Sequence, residues 1–241
     1  MYKTDLNKIP DKPLTDKCIV LDLDETLVHS HSDPNIDLLK ELKIYTDPRL
    51  LDIRSRCYKI TMDDVVSKRG SGDKTEMWGI FRPHVREFLI FCFSYFKLVI
   101  VWSAGKKNYV HTIVDQLFAD LKRPHVIWTF NDIEMLSNKD RTLIKPLSKL
   151  IDKVPGLSKY MSLSNSFILD DRNSVFEEPN PDNGIKIPAY TPSFKAESLR
   201  SDDTALPQLI QWFSRHDVIH SRDVRELNKS SIFDSENYHR N

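Results

Sequence analysis

Cysteine is scarce in this chain, net charge is absent and no hydrophobic run is long. The three cysteines, Cys18, Cys57 and Cys92, are too few and too scattered for a disulfide framework or a cysteine-based zinc site. Two of them lie in apolar runs, so they read as buried thiols of a reducing compartment. Thirty-five basic residues balance 35 acidic ones, which removes any global field drawing the chain to nucleic acid or to a membrane surface. The longest apolar stretch, Phe88 to Phe96, is too short to span a bilayer, and the opening Met1-Tyr-Lys-Thr-Asp5 is polar. A soluble intracellular protein, nuclear or cytoplasmic, is expected. With 241 residues of which 40% are apolar, the chain has enough hydrophobic material for a sizeable single core.

The stretch Cys18-Ile-Val-Leu-Asp22-Leu-Asp24-Glu-Thr26 stands out. A short apolar run of the kind that fills a buried parallel strand empties into two carboxylates spaced i, i+2. Strand alternation turns both to one side unless the backbone breaks there. Ligands of open α/β sheets bind just beyond the carboxyl ends of the strands, so the pair faces a crevice. Two like charges on one side call for a cation or a phosphate-handling site to relieve their repulsion.

The rest of the chain alternates strand and helix patterns. Asp33-Pro34 and Asp47-Pro48 each place an acceptor before a proline at a first helical position, so two short helices are expected. Cys57 to Met62 and Met77 to Phe81 flank the turn region Gly70 to Asp73 and suggest a hairpin. From Val85 to Phe96 the spacing is that of an amphipathic helix, followed by a strand at Leu98 to Trp102 that ends in Ser103-Ala-Gly105. A further helix buries Val110, Ile113, Val114 and Leu117. Strands follow at His125 to Phe130, at Ser166 to Leu169 before Asp170-Asp171, and at Gly184 to Ile187. A last helix is expected from a Ser201 cap through Phe213, with fraying from Asn228 on. The pattern implies an α/β fold: a doubly wound, Rossmann-like, mainly parallel sheet with a small helix-and-hairpin insert after the first strand.

Such a sheet gathers Asp22, Asp24, Ser103, Asp170 and Asp171 along one edge, with Lys145 between the later strands. Four carboxylates, a hydroxyl and an ammonium group suit phosphoryl transfer, which needs charge neutralisation and an activated nucleophile. His29 and His31 form a His-x-His pair that is weak evidence for zinc. Lys106 and Lys107 fit a solvated helix start better than a device for steering an acidic peptide.

Asp22-Leu-Asp-Glu-Thr-Leu27 resembles the DxDxT signature of the aspartyl phosphatases of the haloacid dehalogenase (HAD) superfamily. Together with Arg82-Pro-His-Val-Arg-Glu-Phe-Leu89, Lys145-Pro-Leu-Ser-Lys-Leu150 and Ile168-Leu-Asp-Asp-Arg172, it resembles the FCP and small-CTD-phosphatase branch, also called NLI-interacting-factor-like. Four ordered motifs are far more specific than one. The Asp171-Arg172 pair is closer to the FCP type.

The resemblance implies a Mg²⁺-dependent protein serine/threonine phosphatase acting on the RNA polymerase II tail or a similar phosphoprotein. Asp22 would be the nucleophile and Asp24 the acid/base, with Thr26, Ser103 and Lys145 around the phosphate. The metal would rest on Asp22, on the backbone carbonyl of Asp24 and on Asp171, with Asp170 ligating or supporting and Arg172 alongside. The expected layout is an arm over 1–16, a HAD-like phosphatase domain over 17–220 with its insert at about 31–80, and a polar tail over 221–241. Direct nucleic-acid or membrane contact is not expected. Two alternatives stand beside this reading: a small-molecule or nucleotide phosphatase on the same fold, and a binding or scaffold relative that has lost catalysis. The intact Asp22 and Asp24 weigh against the second.

Overall fold

A computed structural model describes residues 12–31, 43–63, 74–135, 142–193 and 195–233. Its strands are β1 (Cys18–Leu21), β2 (Val28–His31), β3 (Cys57–Asp63), β4 (Lys74–Phe81), β5 (Leu98–Trp102), β6 (Val126–Trp128), β7 (Glu134–Met135), β8 (Leu143–Ile144), β9 (Ser166–Asp170) and β10 (Gly184–Lys186). Its helices are α1 (Leu51–Arg54), α2 (Val85–Tyr95), α3 (Lys107–Leu117), α4 (Leu147–Lys153), α5 (Ala196–Arg200), α6 (Ala205–Phe213) and α7 (His216–His220).

Five strands make one parallel sheet in the order β10-β9-β1-β5-β6. Alternation along each strand splits the core into two layers. Ile19, Leu21, Val99, Val101, Phe167 and Leu169 face one side, where α2, α3 and α6 pack through residues such as Phe88, Val110 and Phe213. Cys18, Val20, Ile100, Trp102 and Ile168 face the other, where α4 brings Leu147 and Leu150. The sheet is covered on both faces, which is why its strands read as unbroken apolar runs. The connections run outward from β1 to β5 and β6, then return to β9 and β10 on the opposite side. The carboxyl end of β1 is therefore a topological switch point.

The insert carries the expected hairpin: β3 pairs antiparallel with β4, Cys57 opposite Ile80 through Asp63 opposite Lys74. It also carries a strand absent from the sequence expectation, since β2 pairs with β4 on the other side. The Asp47-Pro48 signal begins a 3₁₀ turn that runs into α1, with Asp47 accepting from the Arg49 amide at 2.9 Å. The expected Asp33-Pro34 helix and the hairpin tip lie outside the described residues. Trp78, Ile80, Ile53 and Leu50 form a small core with Tyr190 and Leu199, tying the insert to the later chain.

Two expectations about the last part of the chain are corrected. Ser201 does not cap the last long helix; α6 begins at Ala205, whose amide is accepted by Asp203 at 3.1 Å. Of the stretch expected to fray from Asn228, residues 228–233 are described, and their Ile232 packs on the main core, as does the fully buried Val224 just before them; the rest of that stretch lies outside the described residues. An apolar residue in a polar stretch is enough to anchor it.

Candidate active site

β1 ends at Leu21, and the backbone breaks where the carboxylates begin. The Leu23 carbonyl accepts from the amides of Leu27 and Val28 at 2.8 and 3.0 Å, closing a tight loop in which Glu25 adopts a left-handed φ of 61°. A non-glycine residue held there is a local strain that the surroundings must enforce. The Tyr190 amide bonds the Glu25 carbonyl at 2.7 Å, and the Arg82 guanidinium donates to the Thr26 carbonyl at 3.0 Å. Arg82 is fully buried and also reaches the Pro188 carbonyl and the Asp203 carboxylate.

The break sends the two aspartates to different partners. Asp22 is buried, and Lys145 Nζ donates to its Oδ1 at 2.7 Å and to Asp170 Oδ2 at 2.6 Å. Both Lys145 and Asp170 are fully buried, and Asp170 Oδ1 accepts from the Arg172 amide at 2.9 Å. Asp24, half-buried, accepts the Tyr109 phenol proton on Oδ1 and faces Ser103 Oγ at 3.4 Å with Oδ2. Ser103 Oγ in turn accepts from the Gly105 amide at 3.0 Å, which fixes the turn after β5.

Electrostatics follow from burial. Burial pushes the Asp22 carboxyl up against the pull of Lys145, with Asp170 and Asp24 adding repulsion. Burial also lifts Asp24, opposed by the Tyr109 hydrogen bond, and lifts Asp171 with help from Asp170. For Lys145, burial works against the charge, yet Asp22 and Asp170 outweigh it and hold the ammonium form. One ammonium thus faces two buried carboxylates with a third, Asp171, close by, leaving net negative charge in a low-dielectric place.

Asp22, Asp170 and Asp171 each offer a carboxylate oxygen, and these lie within 4.8 Å of one another; among the described residues this is the one cluster of three or more such groups that could hold a metal. Hard oxygen donors with uncompensated negative charge fit Mg²⁺ in chemistry. His29 is engaged by Glu25, Nδ1 to Oε1 at 2.9 Å, and His31 lies against the Trp78 ring.

Asp22, Asp24, Ser103, Lys145, Asp170 and Asp171 are therefore brought together at the carboxyl ends of β1, β5 and β9. Thr26 is fully buried, its hydroxyl without a partner among the described residues and its carbonyl serving Arg82. Arg172 is exposed, and its charge draws the Asp171 carboxyl downward. Lys106 and Lys107 are exposed where α3 begins. Tyr109, which bonds Asp24, and Ser30 and Tyr58, which lie behind it, carried no signal of their own in the sequence: the tyrosines fit the patterns of the helix and strand that bear them, and Ser30 lies on a strand the pattern did not show. The role of Arg82 is similarly hidden in a motif that reads as a helix start.

Residues 17–225 match the family described as NLI interacting factor-like phosphatase. A CTD phosphatase-like protein of invertebrate iridescent virus 3 is 27% identical over 194 residues, covering 79% of this chain and 91% of the viral one. A structure of a variant of the fission yeast RNA polymerase II CTD phosphatase Fcp1, bound to beryllium fluoride, aligns with a TM-score of 0.55 at 19% identity, over 81% of this chain and 49% of that one. A structure of Fcp1, an essential RNA polymerase II CTD phosphatase, aligns with a TM-score of 0.53 at 15% identity, over 88% of this chain and 58% of that one. The chain spans about half the length of these two solved relatives, which share its fold. Among the described residues, no helix is long and apolar enough to cross a membrane.

Proposed function

The chain belongs to the NLI interacting factor-like phosphatase family, and from that premise we propose that it is a Mg²⁺-dependent protein serine/threonine phosphatase that works through an aspartyl-phosphate. The observation that carries this reading is the division of labour between Asp22 and Asp24. Asp22 is held beside an ammonium group, and Asp24 sits two residues on among neutral hydroxyls.

Lys145 engages Asp22 Oδ1, which leaves Oδ2 to attack phosphorus. As that bond forms, the bond from phosphorus to the serine oxygen breaks, and Asp24 gives its proton to the departing oxygen. Asp24, now ionised, takes a proton from a water whose oxygen attacks phosphorus. The bond to Asp22 then breaks, releasing phosphate and regenerating both carboxyl groups. Ser103 Oγ and Lys145 Nζ are the donors suited to hold phosphate oxygens meanwhile. Asp22, Asp171 and the Asp24 backbone carbonyl would hold Mg²⁺, with Asp170 kept in place by Lys145 and the Arg172 amide. The ion, when bound, supplies positive charge that draws in the phosphate and offsets the buried carboxylates.

The substrate proposed is a phosphorylated RNA polymerase II tail or a similar phosphoprotein, supported by the likeness to the Fcp1 CTD phosphatase structures and to the viral CTD phosphatase-like protein. Hydrolysis of phosphoserine peptides, compared with free phosphoserine and nucleotides, tests the substrate class. Faster turnover of peptides is expected; faster turnover of nucleotides would overturn the protein-phosphatase reading while leaving the chemistry intact.

A further inference from the structure

The two oxygens of Asp24 have different company. Oδ2 faces Ser103, whereas Oδ1 accepts from the Tyr109 hydroxyl. Tyr109 is buried in the first turn of α3, and its oxygen is bonded to Ser30 Oγ of β2. Ser30 Oγ lies 2.6 Å from the phenol oxygen of Tyr58, which is buried on β3. Three hydroxyls from three elements thus make one chain that ends on a single oxygen of the acid/base.

Two glycines make room for that chain. A Cβ at Gly105 would lie 2.7 Å from the Tyr109 ring, and one at Gly79 would run into the Tyr58 hydroxyl and the His29 carbonyl. A larger residue at either position would push a phenol out of line. The chain is therefore built into the backbone as well as into its side chains.

Each hydroxyl has one proton to donate. With Tyr58 donating to Ser30, Ser30 to Tyr109 and Tyr109 to Asp24 Oδ1, every buried member of the chain is satisfied. A proton on Oδ1 would require Tyr109 to turn its own proton away from Asp24, whereas a proton on Oδ2 leaves the three hydroxyls as they stand. We propose that the Tyr109–Ser30–Tyr58 chain is a positioning device: it commits Oδ1 and so presents Oδ2 as the oxygen that gives its proton to the leaving group. This rests on the reading of Asp24 as the acid.

Leaving-group chemistry separates this role from a merely structural one. Para-nitrophenolate departs without help, while phenolate from phenyl phosphate needs the proton. kcat/KM, which covers steps up to departure of the alcohol, is measured for both substrates with each variant. Their ratio within one preparation cancels any difference in the folded fraction.

Tyr109→Phe is expected to lower kcat/KM for phenyl phosphate about tenfold more than for para-nitrophenyl phosphate, a fraction of the usual worth of a general acid. Ser30→Ala and Tyr58→Phe should move the ratio in the same direction by less. Asp24→Asn should move it most. An unchanged ratio in Tyr109→Phe beside a fallen one in Asp24→Asn overturns the positioning role alone. An unchanged ratio in Asp24→Asn overturns the acid assignment and the inference with it.

Discussion

Arg82 and Asp203, 121 residues apart, meet through two parallel hydrogen bonds, Nε to Oδ1 at 3.0 Å and Nη2 to Oδ2 at 2.9 Å. The same guanidinium holds the Thr26 carbonyl, so one planar group joins the start of α6 to the loop that carries both proposed catalytic aspartates. Its fork geometry matches a carboxylate in a way that a lysine cannot.

Removing that group should cost stability and activity together. Arg82→Ala is expected to destabilise the protein by about 3–5 kcal/mol, the range for breaking a buried ion pair. Arg82→Lys should recover only part of this, because the ammonium cannot serve Asp203, Thr26 and Pro188 in one plane. Urea unfolding of the three proteins measures it, and equal stability of Arg82→Lys and wild type would count against the geometric account.

Asp22→Asn should abolish turnover, by at least about 10³-fold, in keeping with the loss of other enzymic nucleophiles. Its amide should form no covalent phosphate adduct, while the native chain, quenched in acid during turnover, should carry label from a ³²P-substrate that hydroxylamine releases. Label retained in Asp22→Asn would assign the nucleophile elsewhere.

Mg²⁺ should raise the melting temperature, because an ion that binds the folded state alone stabilises it by about 2.7 kcal/mol at one hundred times its dissociation constant. Asp171→Asn should lose most of that rise, since its oxygen belongs to the carboxylate cluster. Differential scanning calorimetry with magnesium and with chelator provides the readout, which does not depend on turnover.

The pH dependence of stability in chelator follows from the sign of the shifts. Asp22, Asp24 and Asp171 are raised from an ordinary value of 3.8, chiefly by burial. Between that value and their folded values, the native state binds more protons than the unfolded chain, so stability falls as pH rises. Half-buried Asp47 and Asp223 are held down to about 2 by Arg49 and Arg225, and their contribution is lost as pH falls from 3.8 through that value. Metal-free protein should therefore be more stable in mild acid than at neutrality and weaken again at strongly acid pH. A melting temperature that climbs steadily toward neutral pH without metal would contradict the burial argument.

Much of this site is legible in sequence because strand ends are. Apolar runs of three to five residues that stop at Asp22, Ser103 and Asp170 announce both the sheet and the edge where chemistry gathers. Lys145 is different: nothing local says that an ammonium beside a proline will be fully buried between two carboxylates, and only the motif around it marks the position. β2 was hidden because Val28-His-Ser-His31 holds a single β-branched residue, too little to mark a strand, and is held by its pairing with β4. Tyr109 was hidden for the opposite reason, since it completes the apolar face of α3 and its hydroxyl leaves no trace in that periodicity.

β1 is paired along its whole length on both sides, Leu21 lying opposite Val101 and Leu169. Its amides are shielded by pairing on both sides, so Asp22 is anchored at the end of a central strand, where opening requires the sheet to come apart. Loss of the nucleophile's position on denaturation should thus coincide with global unfolding, and fraying of the insert or of the last helices should slow the enzyme without releasing that carboxylate.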